Sequence, residues 1–298
     1  MEHVLKTTGL TKKYDRKAVV NNISMTIAPG DVYGFIGRNG AGKTTFMRVV
    51  LGMALPDAGE ISFFDGEPRR IAGQKIGSII EAPALFGGCT ALENLKRFSL
   101  LISGDVPDNL GELIELVGLS DAGKKLVGHY SLGMKQRLGL AVAMLGNPQF
   151  MVLDEPVNGL DPAGIKDMRD TINVLNREKG VTFLISSHLL DELSRTVTKY
   201  GIINDGVLVE EISATELADK CRQSIAITVD DTAKAFAVLK DVIPADDIRI
   251  AGMEMNVYNH TAEASALNAL LVRNGIAVSS LGSAGYSIEN YFIERMGG

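Results

Sequence analysis

The chain has 298 residues, 46% of them hydrophobic and 22% charged, enough for a large core and about two domains. A net charge of −6 argues against a broad surface for nucleic acid or anionic membrane. The start of the chain lacks the apolar core of a signal peptide, no apolar run approaches the ~20 residues of a membrane span, and two distant cysteines, Cys89 and Cys221, neither in a C-x-x-C, suggest a reducing cytosol with no disulfide or zinc framework.

In chain order, residues 1–30 predict strands, because Ile23, Met25 and Ile27 alternate with polar neighbours and Pro29-Gly30 turns the chain. Asp31 to Ile36 predicts a short buried strand. Gly37-Arg38-Asn39-Gly40-Ala41-Gly42-Lys43-Thr44 then matches the phosphate-binding loop, and Thr45 to Leu51 predicts the helix that such a loop needs behind it. Glycines let successive N–H groups point inward at an anion, and the helix dipole adds to the same point. Lys43 is placed to reach the β- and γ-phosphates of a nucleotide, and the Thr44 hydroxyl to ligate magnesium. Leu55 to Glu60 reads as a turn, with strands at Ile61–Phe64 and Lys75–Ile80.

From about 85 to 147 the composition turns helical, with Leu110, Leu113, Ile114 and Val117 on one stripe. The α/β pattern resumes at Phe150-Met151-Val152-Leu153-Asp154-Glu155, followed by a helix with Ile165, Met168, Ile172 and Leu175 on one face. Thr182–Ile185 is the next strand and ends at Ser186-Ser187-His188. Alternation of strands and helices predicts a largely parallel sheet whose chemistry sits at the strands' carboxyl ends, where Lys43, Asp154, Glu155 and His188 all fall. Asp154 is the expected second magnesium anchor, opposite Thr44. Glu155 is the expected general base for the attacking water.

Beyond about residue 212 the order changes to strand, helix, two strands, helix, strand: Ile225–Val229, Thr232–Val242, Ile248–Ile250, Met255–Tyr258, Ala262–Arg273 and Ile276–Ser279. This is the split βαβ plan of a ferredoxin-like domain, with Ser287–Met296 expected as a closing helix. His260 and Glu263 read as a surface pair at a helix start rather than a metal site.

Together these motifs resemble the ATP-binding subunit of an ATP-binding cassette (ABC) transporter, over roughly residues 4–210. Ser131-Leu132-Gly133-Met134-Lys135-Gln136-Arg137 stands where that family has its signature, Leu-Ser-Gly-Gly-Gln. Asn158-Gly159-Leu160-Asp161-Pro162 resembles its D-loop, and His188 its switch histidine. The resemblance implies an α/β P-loop NTPase of ABC type: a mixed sheet with an inserted helical subdomain over residues 1–211, and an α+β ferredoxin-like accessory domain over 212–298.

It also implies ATP and Mg2+ as the bound species. Tyr14 would stack on the adenine with Val19 beside it, and Gly37 through Thr45 would hold the phosphates. Ser131 and Gly133 of one subunit would complete the site of another, with Asp161 nearby. The implied partners are a homodimer mate or sister ATPase, and integral-membrane permease subunits that hold the chain on the cytoplasmic face of the cell membrane.

Two departures stand out. The signature has Leu132 where the family has glycine, while keeping Ser131 and Gly133. Glu81 replaces a glutamine that touches magnesium and the attacking water. At ~6 Å from a phosphate charge and an effective dielectric of ~20, repulsion is roughly 3 kcal/mol before magnesium offsets it, so Glu81 is expected to bind the metal, be protonated, or stand back. The segments Ile80–Leu85, Thr90–Leu95, Tyr130–Arg137 and Tyr286–Phe292 are similar to the bacterial subfamily that exports bacitracin or gives self-immunity to lantibiotics.

The alternative is a soluble cassette ATPase with a nucleic-acid-linked or regulatory role. The expectation is no nucleic acid, since residues 212–298 hold seven Lys/Arg against eleven Asp/Glu.

Overall fold

Six strands form the central layer of a computed structural model that describes residues 1–188, 196–259, 263–285 and 287–296. These are β3 (Val32–Ile36), β5 (Ile76–Ile79), β6 (Phe150–Asp154), β7 (Thr182–Ser187), β8 (Lys199–Asn204) and β9 (Val207–Ser213), in the order β5-β6-β7-β3-β8-β9. All neighbours are parallel except β8 and β9, so the sheet is mixed, as expected. Strands β3, β6 and β7 are buried at every position, which is why their middles are continuous apolar runs rather than alternating ones, with polar residues only at the ends of β6 and β7. A second, antiparallel sheet of β2 (Lys17–Ile27), β1 (Leu5–Tyr14) and β4 (Ala58–Phe63) lies in the same unit.

Between them runs α1 (Lys43–Leu51). Phe46, fully buried, packs its ring 4.9 Å from that of Phe35 on β3, fixing the helix under the loop that precedes it. Truncating such a ring costs about 3–5 kcal/mol. The predicted turn at Leu55–Glu60 is shorter than expected because β4 already begins at Ala58, and Phe64 leaves the strand at φ 45°.

After the short helix α2 (Arg69–Ala72) and β5, the helical stretch consists of α3 (Ala91–Ser103), α4 (Leu110–Leu116) and α5 (Leu132–Ala143). Thr90 and Glu93 form a reciprocal capping box at the start of α3, and Ser131 caps α5. The long helix α6 (Pro162–Lys179) is capped by Asp161 and buries Met168, Ile172 and Leu175, three of the four residues of the predicted stripe.

The chain divides into two units: Met1–Ala214, joined by the chain end from Arg295, and Thr215–Glu294. In the second unit β11 (Ile248–Ala251), β12 (Glu254–Tyr258), β10 (Ser224–Val229) and β13 (Val278–Ala284) form an antiparallel sheet in that order. With the intervening helices Thr232–Leu239 and Ala264–Arg273, this is the strand order of a split βαβ arrangement. Its core joins Ile225, Ile227, Met255 and Val257 to Leu239, Leu267 and Leu271. The last strand runs later than expected, because Ile276 enters the core ahead of it. The readings placed on His260 and Tyr286 lie outside the described residues.

Candidate nucleotide site

The loop from Gly37 to Gly42 joins the end of β3 to the start of α1. Gly42 sits at φ 107°, and a Cβ there would run into the carbonyl oxygen of Val19, so the loop closes against β2 only with glycine at this position. Gly42 provides no side-chain cap to α1, which leaves the first helical N–H groups open toward the cleft.

Lys43 is 5% exposed. Its ammonium donates to the Gly37 carbonyl at 2.7 Å and pairs with Glu155 Oε1 at 3.2 Å. The neighbouring Thr44 hydroxyl donates to Asp154 Oδ2 at 2.8 Å. Asp154, the last residue of β6, is 3% exposed. A buried carboxylate needs its lone pairs satisfied, and the Ser186 hydroxyl supplies the second bond, donating to Asp154 Oδ1 at 2.6 Å.

Glu155 follows at φ 49°, a left-handed conformation that costs a non-glycine residue about 1–3 kcal/mol. Two bonds hold it there: its own N–H donates to Ser186 Oγ at 2.8 Å, and the Asn158 N–H donates to its carbonyl at 3.1 Å. The carboxylate is thereby aimed between two cations or donors, Lys43 on one oxygen and His188 Nδ1, 2.7 Å away, on the other. Lys43, Thr44, Asp154, Glu155 and His188 therefore converge.

Lys43, Thr44 and Glu155 border a cleft of about 290 Å³, whose walls also include Val19, Asn39, Gly40, Gly42, Thr45 and Asn158; Asp154 and His188 stand behind it, bonded to Thr44 and Glu155. Arg38 and Ala41 complete the loop, with the Ala41 N–H donating to the Arg38 carbonyl at 3.1 Å. The donor set suits a triphosphate with a hard divalent cation. One hydroxyl and one carboxylate offer oxygen ligands, and a glycine-lined cradle with a buried lysine faces the anion.

Other expected residues stand apart. Tyr14, at the end of β1, is 47% exposed with the Lys12 ammonium 5.3 Å from its ring centroid, and it does not line the cleft. Ser131 caps α5, its Oγ accepting the Met134 N–H at 3.3 Å; neither it nor Gly133 lines the cleft. Asp161 caps α6, accepting the Gly164 N–H at 3.1 Å. Glu81, at φ 62°, is held by Arg48 Nη2 at 2.6 Å with 64% of its side chain exposed. It lines a different groove, together with Arg48, Pro83, Leu85, Phe98 and Val142.

Sequence reasoning left out Ser186, the hydroxyl that serves both Asp154 and Glu155. Its signal was a polar residue ending an otherwise apolar run, in parallel register with Asp154. Asn158, named only as the start of the D-loop-like segment, turns out to line the cleft itself.

A family model described as ABC transporter matches residues 20–158. The bacitracin transport ATP-binding protein BcrA of Bacillus licheniformis is 41% identical over 304 residues, spanning 100% of this chain and 99% of that protein. The lantibiotic transport ATP-binding protein SrtF of Streptococcus pyogenes is 40% identical over 208 residues, 70% of this chain and 90% of that one. Among solved structures, a nucleotide-free ATP-binding cassette from an ABC transporter superposes with a TM-score of 0.63 at 25% identity. It covers 71% of this chain and 91% of the other.

Proposed function

Because the chain belongs to the ABC transporter family as its ATP-binding, ATP-hydrolysing subunit, we propose that it energises export of a peptide antibiotic of bacitracin or lantibiotic type through a separate membrane permease. The names of its relatives BcrA and SrtF support that substrate class. Among the described residues no helix is long and apolar enough to cross a membrane. On this reading the chain docks on the cytoplasmic face through the permease, its groove lying between the Glu81 segment and the helical insert. It works as a pair, with itself or with a sister ATPase.

One observation carries the chemistry: Glu155 is fixed at the end of β6 with its carboxylate between Lys43 and His188. A water beside the γ-phosphate gives its proton to Glu155 as its oxygen attacks phosphorus, and the bond from phosphorus to the bridging oxygen breaks to release ADP. Lys43 leaves its pairing with the Gly37 carbonyl and Glu155 for the phosphate oxygens, which frees the carboxylate to accept the proton. His188 keeps the carboxylate oriented. Thr44 and Asp154 would hold Mg2+, which when bound neutralises charge on the phosphate oxygens. Glu81, paired to Arg48, stands back from that charge in this conformation.

The test is Glu155→Gln. Steady-state ATP turnover falls by about 10²–10⁴ while nucleotide affinity is kept; unchanged turnover removes Glu155 from the role. For the export reading, cells carrying the chain with its permease tolerate more bacitracin than cells carrying the Glu155→Gln variant. Equal tolerance argues for another cargo.

A further inference from the structure

The turn that carries Glu155 does not end freely. It runs Glu155-Pro156-Val157-Asn158-Gly159-Leu160 and is tightened by two backbone bonds, Asn158 N–H to the Glu155 carbonyl and Leu160 N–H to the Val157 carbonyl, 3.1 and 3.2 Å. Its far end meets the start of α5 in a reciprocal contact. A Cβ built at Gly159 would stand 3.0 Å from Leu132 Cδ2, and one built at Gly133 would stand 3.6 Å from Leu160 Cδ2. Each leucine thus lies over the other segment's glycine. Gly159 is at φ 73°, so it is kept small by its backbone as well as by Leu132. A second tie joins the helices beyond the two segments: Arg137 of α5 pairs with Asp167 of α6 at 3.3 Å.

Leu132 is 48% exposed, and a leucine in that setting is expendable for stability. It contributes little as core, yet it occupies the position where the resembled signature has glycine. We infer that Leu132 is a positioning residue for ATP hydrolysis: lodged over Gly159, it braces the turn from Glu155 to Leu160 and so holds the Glu155 carboxylate at its angle. The inference rests on Glu155 being the base.

The backbone supports the direction of this effect. Glu155 is held in a left-handed conformation by its bonds to Ser186 and Asn158, and a turn under strain relaxes when its outer wall is removed. A small misplacement of a catalytic group costs rate without costing substrate affinity.

The experiment uses the full chain with Leu132→Ala, Leu132→Met, Gly159→Ala and the Leu132→Ala/Gly159→Ala double variant. ATP turnover is measured across a range of protein concentrations, and binding of a fluorescent ATP analogue is measured separately. Leu132→Ala lowers kcat about ten- to hundredfold and leaves KM and analogue affinity within about twofold, while Leu132→Met, similar in volume, stays within about threefold of the parent. Gly159→Ala costs more in the parent than in the Leu132→Ala background, because the added methyl then has room.

Unchanged kcat in Leu132→Ala overturns the inference. A raised KM at constant kcat also overturns it, since Leu132 would then be a nucleotide contact. So does a loss that disappears at high protein concentration, which would make Leu132 a subunit contact. If Glu155→Gln retains turnover, the base assignment fails instead, and that result is read on a different variant. Should Leu132→Ala fail to fold, Leu132→Val is used, with the same kcat-against-KM split deciding.

Discussion

Helices α1 and α5 both begin in a glycine-bearing segment, but they present their first turns differently. At α1 the capping residue is Gly42, which has no side chain to satisfy the helix, and the buried Lys43 and Asp154 with the partly buried Thr44 and Glu155 of the same chain gather around the opening. At α5 the capping residue is Ser131, whose own hydroxyl accepts the Met134 N–H. Around it Leu132 is half exposed and the cleft residues are absent. The first helix start is furnished with charge by its own chain. The second supplies only a serine and a glycine, and on the proposed reading it finds its phosphate in another subunit.

Three substitutions sharpen this comparison. Lys43→Ala attacks the furnished end and has the largest effect. It removes a charge-assisted donor from the phosphates, so turnover falls by about 10²–10³ and analogue binding weakens; both are read by titration and steady-state assay. Ser131→Ala attacks the bare end. Loss of one hydrogen bond to a charged ligand costs about 1.5–3 kcal/mol, or roughly ten- to a hundredfold in turnover, while analogue binding to the dilute single chain is unchanged. Removing the cap also lowers stability by about 1 kcal/mol, which a melting curve separates from the effect on rate.

The smallest effect concerns the helical insert that carries α5. Glu93 accepts the Thr90 N–H at 2.7 Å and the Thr90 hydroxyl at 3.0 Å. The Thr90 backbone bond first, and its hydroxyl second, hold the Glu93 carboxyl below its ordinary range. A depressed acid contributes stability above its unfolded pKa and loses it as pH falls through the folded one. The melting temperature of Glu93→Gln therefore lies below the parent at neutral pH, and the gap narrows as pH drops below the ordinary carboxylate range. A gap independent of pH removes Glu93 from that role.

Legibility followed the range of the interactions. The phosphate loop, the β6 strand and its two acids are local patterns, so the strand, loop and helix around Gly37–Thr44 and the place of Asp154 and Glu155 at a strand end were readable; alternation predicted a largely parallel sheet, and its mixed character came only from the family resemblance. Ser186 was not, because its importance comes from register between β6 and β7, strands thirty residues apart. The β8–β9 hairpin was overlooked although Asp205-Gly206, at φ 45° and 79°, is the dipeptide that two-residue hairpins favour. Glu81 was flagged as an unusual acid, but its partner Arg48 lies on α1, thirty-three residues away, and only packing brings the two together. The contact of Leu132 with Gly159 has the same origin.

The account turns on the claim that α1 of one subunit works with α5 of another. Mixing two inactive variants tests it most directly: Lys43→Ala and Ser131→Arg, assayed alone and together for ATP turnover. In a mixed pair one cleft carries both lesions and the other carries neither, so the mixture recovers about a quarter of parental activity if subunits exchange freely. Activity no higher than the average of the two variants alone, with exchange verified by tagged pull-down, would contradict it.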